Sequence, residues 1–271
     1  MVSAKVMQQI DFDGMKVEFV GVFAVVYMGG WVTNNYFIGT SDHLSVAVVH
    51  LFAYSLFIWT SFKISGGLLN PALTIVLMYY NKIKFYQGLF YIGSQLLGSL
   101  LAVSILKVIS PEGIISTRGS GDFMLGYPSP RSSFISACYE IIGTFMVVLV
   151  YYTVAIANKD TNVHLHGIAM GIAYSTNHLI YGRHGGSANI ARMFGCFCLG
   201  GKYWSLLLAS AGSIAGAFLA GFLCEKVILK ELILNPIQID EPIYNERADT
   251  EKIQTDGSTQ KNEEEDIHMH L

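Results

Sequence analysis

The 271-residue sequence predicts an all-α membrane protein: six transmembrane helices plus two re-entrant half-helices, arranged as an inverted repeat. Three observations carry this. The chain is 52% apolar and 14% charged with a mean hydropathy of +0.44, whereas soluble domains carry about a quarter charged residues. Six apolar stretches approach or exceed the roughly 20 residues that a helix needs to cross a bilayer. Landmark residues of the first half recur, in order, in the second.

The expected spans are 15–36, 43–62, 84–108, 134–157, 164–182 and 203–228. The first 14 residues are short and polar, and the first apolar stretch lacks a compact core ending in a small-residue cleavage site, so it is expected to be a retained span. Cys138, Cys196, Cys198 and Cys224 lie in or beside apolar stretches. They read as small packing residues, because Cys196 and Cys198 have no His or Cys at ligand spacing. No metal or cofactor is expected. Nucleophile–base pairs and phosphate loops are lacking too, so the sequence does not suggest an enzyme, and nothing in it points to nucleic acid.

Charge separates the ends. Residues 231–271 hold 11 acidic and 3 basic residues, net −8, against net +5 for the remainder. With its NEEED run at 262–266, this segment is expected to be an acidic, disordered cytoplasmic tail.

The repeat organises the middle. Glu18-x-x-Gly21-x-Phe23 opens the first span and Glu140-x-x-Gly143-x-Phe145 the fourth. ISGGLLNPALT (64–74) precedes the third, and HGGSANIARMFG (184–195) the sixth. GSQLLGSLLA (93–102) pairs with AGSIAGAFLA (211–220). Glu18/Glu140, Asn70/Asn189 and Gly98/Gly216 stand 122, 119 and 118 residues apart. Three spans per half is an odd number, so the second copy must be inverted across the membrane, with the working site where the halves meet. The expected organisation is a cytoplasmic segment (1–14), a first three-helix half (15–108), an extracellular connection (109–133), a second half (134–230) and the tail (231–271).

The segments 70–80 and 189–200 are too short to span. Non-helical backbone is tolerated in a bilayer only where it is buried or lines a wet cavity, and two Gly-rich loops ending in half-helices meet that condition. Asn caps a helix well and Pro suits the first helical position, so Asn70-Pro71-Ala72 is a compact helix start. Asn189-Ile190-Ala191 is its copy without the proline. Two such starts facing each other would concentrate positive dipole ends, with asparagine NH2 groups turned toward a passing molecule and Arg192 adding a fixed cation. Such a point bars cations and interrupts a proton-relaying chain, and an intramembrane Arg is itself a functional-site indicator.

The paired halves, ISGGLLNPALT, SANIARMFG and the Glu-x-x-Gly-x-Phe starts resemble the major intrinsic protein family, the aquaporins and glycerol facilitators, over about residues 15–228. The resemblance implies an aquaporin-like fold with a pore in every subunit, a homotetramer in a plasma or vacuolar membrane, and cytoplasmic termini. It also implies an outer constriction of His50, His178 (with Asn177 as the alternative), Gly186 and Arg192. The carbonyls of Gly66, Gly67, Leu68, Leu69, Gly185, Gly186, Ser187 and Ala188 would line the path, and Glu18 and Glu140 would brace the loops. Met193 after Arg192, His50 in place of a bulky aromatic, and a short second loop favour water over glycerol. A ring of His, a small residue and Arg keeps ammonia and hydrogen peroxide as secondary solutes. The competing reading is a junctional or scaffold protein with a poorly conducting pore, suggested by Leu68, Lys63 and Ile190.

Overall fold

The computed structural model describes residues 11–37, 39–109, 130–157, 163–181, 186–200 and 203–230. The tail from 231, most of the connecting segment, and Gly185 lie outside the described residues.

Among the described residues, eight α-helices follow in order: α1 (Phe12–Phe37), α2 (His43–Ser65), α3 (Pro71–Tyr79), α4 (Phe85–Ile109), α5 (Pro130–Tyr151), α6 (Val163–Tyr181), α7 (Ile190–Gly200) and α8 (Tyr203–Leu223). α5 and α8 run on into π-helical turns, Tyr152–Ala157 and Cys224–Ile228. The two short helices, of 9 and 11 residues, are the expected half-helices. α1 begins at Phe12, three residues before the expected span, because Asp11 caps it: its Oδ1 accepts from Gly14 N at 2.8 Å. Asp42 caps α2 by accepting from Ser45 N at 2.6 Å, and its hydrogen bonds with Ser45 hold the carboxyl below the usual carboxylate range. Gly66 ends α2 in the left-handed conformation at φ 91°.

Among the described residues, five helices are long and apolar enough to cross a membrane: α1, α2, α4, α5 and α8. The fifth expected span, α6, falls short on composition because its polar residues are packed inward. His166, Ser175, Asn177 and His178 are buried, while Leu165, Ile168, Ile172, Leu179 and Ile180 are exposed. That is the reverse of a soluble amphipathic helix. The other spans follow the same rule, with Val20, Leu97, Ile142, Leu207, Leu219 and Phe222 outside and Glu18, Gln95, Glu140 and Arg192 inside. An apolar exterior around buried charged and amide groups suits lipid rather than water as the surrounding solvent.

The residues up to Leu229 form one unit. Within it α1 packs on α4 and α2, α5 packs on α8, and α2 packs on α6. Two glycines mark equivalent close approaches in the two halves. A Cβ on Gly98 would stand 2.4 Å from the Phe19 carbonyl oxygen, and one on Gly216 would stand 2.1 Å from that of Ile141. Phe19 and Ile141 are matched positions of the repeat, so each half joins its first and third helices by the same backbone contact. Of the cysteines, Cys196 and Cys224 are buried, Cys198 is half-buried and Cys138 is exposed. Only the first two fit the packing role in full.

Candidate functional site

Each re-entrant loop is held by one buried carboxylate. Glu18 Oε1 accepts from Ser65 Oγ (2.5 Å) and Leu68 N (3.0 Å), and its Oε2 accepts from Leu69 N and Gln95 Nε2 (both 2.7 Å). Glu140 Oε1 accepts from Ser187 N (2.7 Å), and its Oε2 accepts from Ala188 N (2.8 Å) and Ser213 Oγ (3.0 Å). The two sets correspond position by position: Leu68 with Ser187, Leu69 with Ala188, and Gln95 with Ser213. A carboxylate is the right group here, because it offers only acceptors to converging N–H and O–H donors. Gln95 and Ser213 are braces that the sequence reasoning missed, although both lie inside the paired decapeptides.

The loops share their backbone conformation too. Gly67 (φ 63°) and Gly186 (φ 84°) are left-handed, and so are Leu69 (φ 46°) and Ala188 (φ 49°). A left-handed residue with a side chain is strained and persists only where its surroundings enforce it. Here the carboxylate bonds to Leu69 N and Ala188 N enforce it. Gly186 could not be replaced without distortion, since a Cβ would meet the Tyr181 ring at 2.6 Å.

The strained residues present their carbonyls to the opposite half. Asn70 Nδ2 donates to Ala188 O at 2.7 Å, and Asn189 Nδ2 donates to Leu69 O at 2.8 Å. Each asparagine also caps its own half-helix, Oδ1 accepting from Ala72 N at 3.0 Å or from Ala191 N at 2.9 Å. The N-termini of α3 and α7 are therefore laced to each other, with Pro71 and Ile190 in equivalent first positions. All six residues of the two motifs are buried.

The second N–H of each amide is taken as well. Asn70 Nδ2 donates to Tyr174 Oη (3.0 Å) and Asn189 Nδ2 to Tyr54 Oη (3.1 Å). The expectation that these NH2 groups face a passing molecule is thus corrected in this structure, because phenol hydroxyls hold that place. Several of the carbonyls expected along the path also have protein partners. Leu69 and Ala188 accept from the asparagines, and Gly66 accepts from Tyr151 Oη at 3.1 Å. A carbonyl oxygen has two lone pairs, so each of the three retains one.

One helical turn along α2 from Tyr54 stands His50, and one turn along α6 from Tyr174 stands His178. The imidazole centroids are 3.6 Å apart at 37°. Asn177, the alternative, points elsewhere: its Nδ2 donates to Ala173 O, and its Oδ1 fills the space above Gly143 of α5. His50 Nδ1 donates to Val46 O at 2.7 Å, which leaves Nε2 of the neutral ring as an acceptor. Arg192 is 5% exposed and directly follows the Asn189-Ile190-Ala191 start of α7. Among the described residues, His50 Nε2, His178 Nε2 and Arg192 Nε have no hydrogen-bond partner. Buried polar atoms are normally paired, so this cluster is suited to a small polar guest.

The family model for Major intrinsic protein matches residues 8–224. The chain belongs to the major intrinsic protein family. It is 35% identical over 188 residues to a probable aquaporin TIP-type RB7-18C of Nicotiana tabacum, covering 69% of this chain and 72% of the relative. It is 33% identical to a probable aquaporin TIP-type of Antirrhinum majus (78% and 86% covered) and 28% identical to Aquaporin-4 of Mus musculus (83% and 70%). Its fold matches the X-ray structure of the aquaglyceroporin from Plasmodium falciparum with a TM-score of 0.66 at 22% identity, covering 81% of this chain and 98% of that one. This family member is accordingly a multi-pass membrane protein of a channel family. Tyr54 and Tyr174, which the sequence reasoning passed over, stand 120 residues apart, between the offsets of the flanking landmark pairs. That spacing was the available signal.

Proposed function

We propose that this major intrinsic protein is a water channel, giving passive, proton-excluding flow through a path in each subunit of a homotetramer, with both termini cytoplasmic. The observation that carries the reading is the set of buried, unpaired nitrogens on His50, His178 and Arg192: an acceptor at His50 Nε2, a donor at Arg192 Nε, and His178 Nε2, which serves as either according to its tautomer. The arrangement supplies the chemistry. A water that leaves bulk must recover hydrogen bonds inside, and the cluster provides them. The guanidinium and the two facing half-helix starts keep the passage positive, which bars cations and hydronium. The relatives' names point the same way, since each is called an aquaporin.

Stopped-flow shrinkage of proteoliposomes tests this. Protein-containing vesicles should pass water faster than empty ones, with no matching proton current. Arg192→Val should raise proton or cation leak without abolishing water flow. Water flux equal to that of empty lipid would favour the junctional or scaffold reading. A second solute reading rests on the imidazole pair, because a neutral His50 Nε2 can accept from ammonia or hydrogen peroxide as it can from water. Uptake of ammonia measured as a pH rise inside the vesicles separates it from the first.

A further inference from the structure

Tyr54 and Tyr174 come from opposite halves of the repeat, are fully buried, and stack with ring centroids 3.6 Å apart at 8°. Faces in van der Waals contact at that separation leave no space for a water between them. Their hydroxyls meanwhile hold the second N–H of Asn189 and of Asn70. An amide NH2 has two donors, and with Leu69 O and Ala188 O taking the others, neither asparagine can greet a permeant molecule.

We propose that Tyr54 and Tyr174 form a plug at the level of the paired asparagines, and that the separation of these two rings sets the conductance and the size limit of the path. This rests on the water-channel reading. The neighbouring layer is built by the same helices: His50 and His178 sit one turn away from the tyrosines and are likewise 3.6 Å apart. Residues i and i+4 share a helix face, so α2 and α6 present two close ring pairs in succession, the tyrosines stacked and the imidazoles tilted at 37°, and a change in helix separation moves both layers together. Opening leaves the hydrogen-bond count unchanged. A water entering beside Asn70 or Asn189 accepts the N–H that the departing phenol releases. The plug is therefore held mainly by ring contact, and the hydroxyls serve as stand-ins for the permeant when the path is shut.

The experiment compares the parent with the double variant Tyr54→Ile/Tyr174→Val and with Tyr54→Phe/Tyr174→Phe. All are reconstituted at matched density and followed by stopped flow with water and glycerol gradients. Ile/Val should raise water permeability per protein about tenfold, equivalent to about 1.4 kcal/mol off the barrier, and should admit glycerol. Phe/Phe keeps the stack and should stay near the parent. A parent that conducts well and is not exceeded by Ile/Val overturns the plug and leaves the water reading standing. Flux at the empty-lipid level in both parent and Ile/Val overturns both. A Phe/Phe variant as fast as Ile/Val overturns ring contact as the obstruction. Should Ile/Val fail to assemble by size-exclusion chromatography, the single variant Tyr174→Val decides: a rise over the parent supports the plug, and no rise refutes it.

Discussion

At the residue scale, Asn189 does three things at once. Its Oδ1 caps α7, one N–H ties α7 to Leu69 of the other half, and the second N–H meets Tyr54. Losing a helix cap alone costs about 1 kcal/mol, and the loss here also strips Leu69 O of its buried donor. Asn189→Ala should therefore lower thermal stability in detergent and either cut water flux or admit ions. Parent-like behaviour in all three assays would refute the paired-asparagine mechanism. Ile190→Pro should preserve flux. Proline is suited to the first helical position, where the intrahelical ladder needs no N–H, and Pro71 already occupies the equivalent place. The missing proline is thus a loss of stiffness rather than of chemistry. Asn70, Asn189 and the two glutamates stand out in the sequence because they sit in repeated strings. Tyr54 and Tyr174 do not, because an aromatic within an apolar run looks like any packing residue until its partner across the molecule is seen.

At the scale of elements, each half is a three-helix unit whose loop hangs from a single carboxylate. Glu140→Gln keeps the shape but turns an NH2 toward Ser187 N, Ala188 N or Ser213 Oγ. Hydrogen bonds to a charged group contribute about 1.5–3 kcal/mol each, so this variant should lose about that much stability and relax the left-handed Ala188. Thermal unfolding followed by intrinsic fluorescence would register it, and an unchanged midpoint would argue against the brace. Gly216→Ala tests the helix contact. A Cβ at 2.1 Å from the Ile141 carbonyl oxygen forces α5 and α8 apart, and overpacking of this kind costs about 1–3 kcal/mol. Gly98→Ala should behave alike, whereas Gly93→Ala, with open space beside it, should be tolerated. These contacts follow from periodicity and small-residue spacing, which is why the helices and their half-helix interruptions were legible in advance. α6 was legible by length and by its place in the repeat. Its apolarity is diluted because its polar side is the one that faces inward.

At the scale of the whole molecule, the inverted repeat makes the two loops enter from opposite faces and meet at their helix starts. The proposed six crossings, an even number, would put both termini on one side. The proposal that this side is cytoplasmic predicts that epitopes at residue 1 and residue 271 are both reached only after the membrane is permeabilised. Labelling of either one in intact cells would contradict it.

The sequence by itself determined the parts and their symmetry: apolar length marks most of the spans, the repeat supplies α6, and an odd-numbered repeat sets the inversion. Only the tertiary structure decided what stands in the middle. Whether His178 or Asn177 meets His50, and whether the asparagines face an opening or a tyrosine hydroxyl, depends on the rotation of α2 against α6. Adjacent residues on a helix point about 100° apart, so a one-residue uncertainty in position along the helix exchanges one lining residue for another. Packing in three dimensions fixes that angle.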